Sequence, residues 1–535
     1  MNKENGITLI SLVITIIVLL ILAGVTVATL IGDNGLIGKS GEAKRETEIA
    51  EEKEILETAV IQSMKNSKRG EINQIELRNI LENKAEVIDN DINLVVKFLK
   101  SNRYYCVNTD GDISEYEYLK DETPGELAKN SDEEFMIESI EDLVTFSAMV
   151  NGGYSDSNIT IGSKQNFDKV RLMTNLDFKS NLSYNNTNDT KYNGYLGIED
   201  SSIGLKEALT NQNYKGFIPI GITTQKSFNG NFYGNNKSIK NIYINTTEYA
   251  GLFGCLNSKV DVSNLIISGN ITSTGNDAGG LCAYWLYVNY QQTTLANLNN
   301  VINYCNITSN TGNAYNSAGG LIGVFTSNKT HTGINIVDCK NYGIIKTNQS
   351  NSGTGGILGK AQGDKINIIN SGNYSLIDNI KGGFHGGAGG IIGTTAPSTG
   401  DTPIRKINIY NSFNKGNIEG NMCGGIIGNN DNKSNTDIVN CHNTGMVTGN
   451  IGVVYTNTSG EENMKLNNIY YVGSKIINKN TLTSINTHSI TISNAKNNTE
   501  ILNSLNTFKD EEDNWPERME NMEIWKRWIT RILIK

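Results

Sequence analysis

A five-residue element, glycine-glycine-apolar-apolar-glycine, returns through the second half of the chain and constrains the fold more than any other feature. It occurs as Ala250-Gly251-Leu252-Phe253-Gly254, Gly279-Gly280-Leu281-Cys282-Ala283 and Gly319-Gly320-Leu321-Ile322-Gly323. It returns as Gly355-Gly356-Ile357-Leu358-Gly359, Gly389-Gly390-Ile391-Ile392-Gly393 and Gly424-Gly425-Ile426-Ile427-Gly428. From Gly251 through Gly280, Gly320, Gly356, Gly390 and Gly425 the steps are 29, 40, 36, 34 and 35 residues. A period near 35 held over so many copies marks a repeat architecture, in which no unit buries its apolar face alone.

A second signature runs alongside: two apolar residues, Asn or Asp, two variable residues, then Asn. Its copies are Val301-Ile302-Asn303 with Asn306, Ile336-Val337-Asp338 with Asn341, Ile368-Ile369-Asn370 with Asn373, Ile409-Tyr410-Asn411 with Asn414, and Ile438-Val439-Asn440 with Asn443. Each unit thus offers two or three short apolar strands separated by Gly and Asn, residues that tolerate left-handed backbone. The pattern predicts a mainly β chain, a parallel β-helix or solenoid of about 35-residue repeats with rungs stacked at about 4.8 Å. Glycine suits corners where backbone layers approach closely, which accounts for the diglycines.

These elements resemble the GLUG repeat of large bacterial surface and secreted proteins, including streptococcal IgA-protease-type chains. Ile140-Glu141-Asp142-Leu143, Leu172-Met173-Thr174-Asn175-Leu176, Phe217-Ile218-Pro219-Ile220-Gly221 and Phe228-Asn229-Gly230-Asn231-Phe232 resemble the lead-in of such regions. The resemblance implies a GLUG-type β-solenoid over residues 135–475.

Lys+Arg number 46 against Asp+Glu 55, a net charge of −9. That balance excludes the basic footprint a nucleic-acid partner requires. Seven cysteines, an odd number without a CxxC pair, make no disulfide framework. Cys339 and Cys441 share a repeat column and read as small buried packing residues.

Residues 7–31 form an uncharged run of 25, with Lys3 before it and Asp33 after it. Its length suits a bilayer-spanning helix. The flanking charges predict a single-pass protein of the cell membrane, C-terminal bulk extracellular, at the cell surface. Gly6-Ile7-Thr8-Leu9 and the following run resemble the leader and first helix of type IV pilins and pseudopilins. That resemblance implies a leader over 1–6, cut by a prepilin peptidase after Gly6, and methylation of Ile7. It also implies a transmembrane and stalk helix over 7–70, a small pilin-like α+β region over 71–120, and other pilin-like subunits as partners. Ser11 stands where the family usually carries Glu, the acid that pairs with a neighbouring subunit's amine, which points to a tip or minor subunit or to a helix that merely anchors. An ordinary signal anchor or cleaved secretory signal needs only the apolar stretch behind a positive end, and stays open.

Farther along, Pro124-Gly125 marks an acidic linker over 121–134. Ser139 with Asp142 predicts a capped helix whose Ile140, Leu143, Val144 and Phe146 cover the first rung. Residues 180–215 read as a loop between rungs. Residues 476–535, with Trp515, Trp525 and Trp528, read as a C-terminal cap.

No HExxH occurs, so the zinc chemistry of the IgA-protease class lacks its ligand set, and His331, His385, His442 and His488 stand singly. Asp338, Asp364, Asp401 and Asp437 are candidate acids for a polysaccharide lyase or glycosidase, but they do not recur in one column beside Lys or Arg. No cofactor or metal is expected. The sequence therefore reads as a non-enzymatic, membrane-anchored or pilus-associated bacterial surface protein. Its solenoid would serve adhesion or binding, with a host or cell-wall glycan or protein as ligand. A glycan-active β-helix enzyme and a passive spacer are the alternatives.

Overall fold

A computed structural model describes residues 36–65, 72–89, 94–101, 103–107, 111–116, 125–164, 166–179, 191–198, 216–287, 295–310, 316–327, 332–348, 351–379, 386–395, 405–430, 434–456, 464–477 and 485–489. They fall into two units, Met1–Asp121 and Glu122–Lys535.

In the first unit the helix Leu36–Lys65 buries Leu56, Ala59 and Val60 in a core shared with Leu77 of the helix Gln74–Ile80 and with Val96, Tyr105 and Val107 of a sheet. That sheet is antiparallel, in the order Ala85–Asp89, Leu94–Phe98, Tyr104–Val107, Ile113–Tyr116. Glu52 ties helix to sheet, accepting from Arg103 Nε at 2.8 Å and from the Tyr105 hydroxyl at 2.9 Å. In the helix Gln74–Ile80, Leu77 is buried and Ile75 is 72% exposed. Gly6, Ile7 and the run that carried the pilin resemblance lie outside the described residues.

Among the described residues no helix is long and apolar enough to cross a membrane. The single-pass membrane localisation is therefore corrected. The longest described helix, Leu36–Lys65, carries Glu51, Lys53, Glu54 and Glu57 among others, charges that a hydrocarbon core disfavours. Residues 7–31, on which the expectation rested, are outside the described residues.

The second unit opens with the predicted capping box. Ser139 Oγ accepts from the Asp142 amide at 3.1 Å and Asp142 Oδ2 accepts from the Ser139 amide at 3.0 Å, starting the helix Ile140–Val150. Its Ile140, Leu143, Val144 and Phe146 are fully buried. Phe146 meets Phe167, Phe228 and Phe232 with ring centroids 5.1, 5.3 and 6.3 Å apart, covering the start of the β core. Part of the stretch read as a loop also packs here: Tyr192 and Tyr195, around the short helix Asn193–Leu196, bond to Thr145 and Ser147.

From Asn231 onward each turn of the chain lays parallel strands on those of the turn before. An eight-stranded sheet runs from Phe253–Asn257 through Cys282–Tyr287 and Ile322–Ser327 to Lys475–Ile477. A five-stranded sheet holds Ala278–Gly279, Ala318–Gly319, Gly353–Gly355, Gly387–Gly389 and Cys423–Gly424. The third sheet stacks Asn231–Thr246, Asp261–Ser273 and Ala296–Ser309, then shorter segments such as Gly333–Val337, Lys340–Asn341 and Ile345–Thr347. Register carries the repeat. Phe253, Cys282, Ile322, Leu358, Ile392 and Ile427 pair in succession, at the same offsets as the glycine steps. Inside, Leu281, Leu321, Ile357, Ile391, Ile426 and Val453 are all fully buried, each contributing about 1.5–3 kcal/mol of transfer free energy. The mainly β fold with large parallel sheets is thus as expected, and the strand Ile485–Ser489 continues it by pairing with Met464–Tyr471.

The second signature needs one correction. Left-handed residues recur at Asn264, Asn300, Asp338, Asn370, Asn411, Asn440 and Asn468, with φ of 56, 52, 57, 50, 49, 55 and 52°. Asn303 pairs with Asn341, not with Asp338. The first copy is therefore Leu298-Asn299-Asn300 with Asn303, three residues earlier than the sequence pattern placed it. Asparagines at 297, 299, 300, 303 and 306 let the pattern be read in more than one phase, and only backbone pairing chooses.

Candidate functional site

The repeat glycines mark a corner. The first glycine of the pair ends a strand of the five-stranded sheet, and the second backs onto a buried asparagine of the third. A Cβ on Gly280, Gly320 or Gly425 would lie 2.5 Å from Cγ of Asn303, Asn341 or Asn443 respectively. On Gly356 it would lie 2.5 Å from Asn373 Cβ, and on Gly390 2.4 Å from Asn414 Cβ. These asparagines, fully buried, donate one to the next, Asn303 to Asn341 at 2.9 Å and then Asn341 to Asn373, Asn373 to Asn414 and Asn414 to Asn443 at 2.8 Å each. The two signatures of the sequence are one device: glycine vacates the space that the amide ladder occupies. Gly251, before the ladder begins, is held instead by the Phe253 and Gly279 carbonyls, 2.7 and 2.8 Å from where its Cβ would be.

Cysteines serve the same architecture. Cys339, Ser371, Ser412 and Cys441 each donate to the carbonyl two residues back, at 3.1, 2.9, 2.9 and 3.2 Å. Burial pushes both thiols up to about 12, which keeps them protonated and inert.

The candidate acids scatter. Asp338 sits in the left-handed column and accepts from the Asn370 amide, the Asp364 amide donates to Ser327 Oγ at 2.8 Å, and Asp401 lies outside the described residues. Asp437, however, pairs in register with Lys465. A column of Lys346, Asp378 and Glu419 also stands on the third sheet. The sequence reading misses both, because register across repeats of unequal length is not visible in the chain. Asp277 is buried near Tyr249, Tyr284, Cys255 and Lys360, and accepts from the Ser317 amide at 2.6 Å. Burial raises its carboxyl to about 7. Of the histidines, His331 and His385 lie outside the described residues and His488 falls in the last strand.

His442 belongs to the most distinctive outward feature, a ladder of rings on the third sheet. Tyr304 stacks on Tyr342 with centroids 4.8 Å apart and planes 9° apart, and Tyr342 on Tyr374 at 4.4 Å and 10°. Phe413 meets Tyr374 edge-on at 5.2 Å, and His442 stacks on Phe413 at 5.3 Å and 8°. Gly372 leaves the room through which the Phe413 ring reaches toward Tyr374. Lys415 Nζ lies 5.2 Å from both the Tyr374 and Phe413 rings. Stacking covers both faces of Tyr342 and one face each of Tyr304, Tyr374, Phe413 and His442. Its signal was present in Asn303-Tyr304, Asn341-Tyr342 and Asn373-Tyr374; the misplaced phase of the first copy concealed it.

No family model matches this chain, and no curated protein does. Its structure is similar to the crystal structure of a "putative immunoglobulin A1 protease" from Bacteroides ovatus, with 17% identity and a TM-score of 0.39 over 71% of this chain and 89% of that one. The expectation of a non-enzymatic chain is corrected to this extent, that the similar protein is described as a "putative immunoglobulin A1 protease". At this identity and TM-score the likeness brings no activity across.

Proposed function

We propose that the stacked coils are a binding scaffold of GLUG type whose recognition face is the outward side of the third sheet, presented to an extended glycan or protein. One observation carries this reading. Among the described residues of the second unit, the exposed large apolar side chains are Tyr304, Ile344 and Met446, at 47, 37 and 53% exposure. All three follow ladder asparagines, Tyr304 directly after Asn303, Ile344 three residues after Asn341 and Met446 three after Asn443. Large apolar groups left in water along one face of a repeated structure mark an interaction surface.

The test immobilises the full chain against a panel of purified glycans and extracellular-matrix proteins, beside a triple variant, Tyr304→Ser, Ile344→Ser and Met446→Ser. The expected result is a ligand bound by the parent and held about tenfold or more weakly by the variant, with unchanged circular dichroism. A parent that binds nothing, or a variant that binds equally well, leaves a passive spacer and overturns the reading.

A further inference from the structure

The ring ladder ends at Tyr304. One face of its ring stacks on Tyr342. On the turn below, the residue in register with Tyr304 is Ser268, followed by Gly269. Among the described residues no second ring covers Tyr304 from that side, and it is 47% exposed. In the adjacent column the exposed Asn306 amide donates a long bond to Asn270 Oδ1, at 3.5 Å, and accepts from the Ile344 amide at 3.0 Å. Ser268 Oγ accepts only a long bond from the Asn241 amide, at 3.4 Å, which leaves its own proton to donate. Neither residues 262–273 nor residues 295–310 carry a charged side chain.

We propose that this end of the ladder is a subsite for a neutral sugar ring, a pyranose whose C–H face lies on Tyr304 while its hydroxyls exchange hydrogen bonds with Asn270, Asn306 and Ser268. The proposal rests on the recognition face argued above and narrows its ligand to a glycan. An aromatic face carries negative charge density that attracts polarised C–H groups. Sugar hydroxyls need donors and acceptors side by side, which an amide supplies on one group. An anionic ligand would call for an Arg or Lys at the contact, and two successive turns offer none. Asn306 Oδ1 already accepts from the Ile344 amide, so the groups an apolar peptide would bury without partners are the Asn270 amide protons and the Ser268 hydroxyl proton.

The full-length chain is titrated with mannotetraose, cellotetraose and chitotetraose, and separately with an oligogalacturonate of the same length, by calorimetry and saturation-transfer NMR. At least one neutral tetrasaccharide is expected to bind, and to bind better than the acidic one. Tyr304→Ser should weaken it about tenfold or more, whereas Tyr304→Phe, which keeps the ring, should stay within about threefold. Ser157→Ala, in the exposed turn between Tyr154–Ser155 and Thr160–Ile161, should leave the sugar affinity unchanged. Sugar binding indifferent to Tyr304→Ser, stronger binding of the acidic probe, or no binding of any neutral tetrasaccharide overturns the subsite. The recognition face is judged separately, by whether the triple variant loses any ligand of the wider panel.

Discussion

Gly320 and Asn341 share one space. A Cβ on the glycine would sit 2.5 Å from the asparagine's Cγ and 2.0 Å from the Gly356 carbonyl oxygen. Gly320→Ala therefore forces backbone apart rather than turning a side chain aside, and should destabilise the second unit by about 3 kcal/mol. Gly162→Ala, where nothing lies within 4 Å of the new Cβ, should stay within about 0.5 kcal/mol. Urea midpoints of the two variants check this, and equal midpoints would show that the corner yields.

Asn373 occupies the middle of the amide ladder, accepting from Asn341 and donating to Asn414 and to the Ser375 carbonyl at 2.8, 2.8 and 2.7 Å. Asn373→Leu leaves a buried donor on Asn341 and a buried acceptor on Asn414 unpaired, at a cost of about 2–3 kcal/mol. Hydrogen exchange of the Gly343 and Gly416 amides, on the neighbouring turns, should speed up in the variant; unchanged rates there would mean that the ladder is not a cooperative element.

Asp277 predicts one pH response. Its carboxyl is raised by burial from 3.8 to about 7, against the opposing pull of the Ser317 amide and the Lys360 charge. With the folded pKa above the unfolded one, its contribution is full below about pH 4 and is lost as pH rises to about 7. Asp277→Asn should gain on the parent chain across that window by on the order of 2–4 kcal/mol and then level off. Thermal midpoints of both chains from pH 4 to 8 decide it; a gap that does not change with pH removes Asp277 as the cause.

His442 predicts the opposite slope. Burial, aided by the Lys415 charge, lowers its imidazole from 6.5 to about 4. Stability tied to the neutral ring is present above pH 6.5 and is lost as pH falls toward 4. His442→Phe keeps a ring against Phe413 and removes the titration of a ring whose Nδ1 is buried without a partner, so its midpoint should fall less on acidification, by on the order of 3 kcal/mol. Because the two groups act in opposite senses over overlapping windows, the parent chain's own pH profile should be shallower than that of either variant.

The two signatures differ in how far they can be read from the chain. Glycine's demand is steric and local, so Gly280, Gly320, Gly356, Gly390 and Gly425 announce the turn spacing directly. The capping box at Ser139 and Asp142 is equally local and equally legible. Asparagine is ambiguous: Asn303 could stand with Asp338 or with Asn341, and strand pairing alone puts it with Asn341. Tyr304, Tyr342 and Tyr374 become a ladder only once that register is set, because a shift along a strand moves every side chain to a different neighbour or to the opposite face.

By itself, then, the sequence determined that this chain repeats, that its strands are short and apolar, and where its corners lie, since those follow from backbone sterics and hydrophobic periodicity within a few residues. Only the tertiary structure decided which asparagines are buried and bonded in series, which rings stack, which acid stands beside which lysine, and that among the described residues no second ring covers Tyr304. Those are relations between residues some 30 to 40 positions apart, and the hydrogen bonds of stacked strands, rather than any local preference, bring them together.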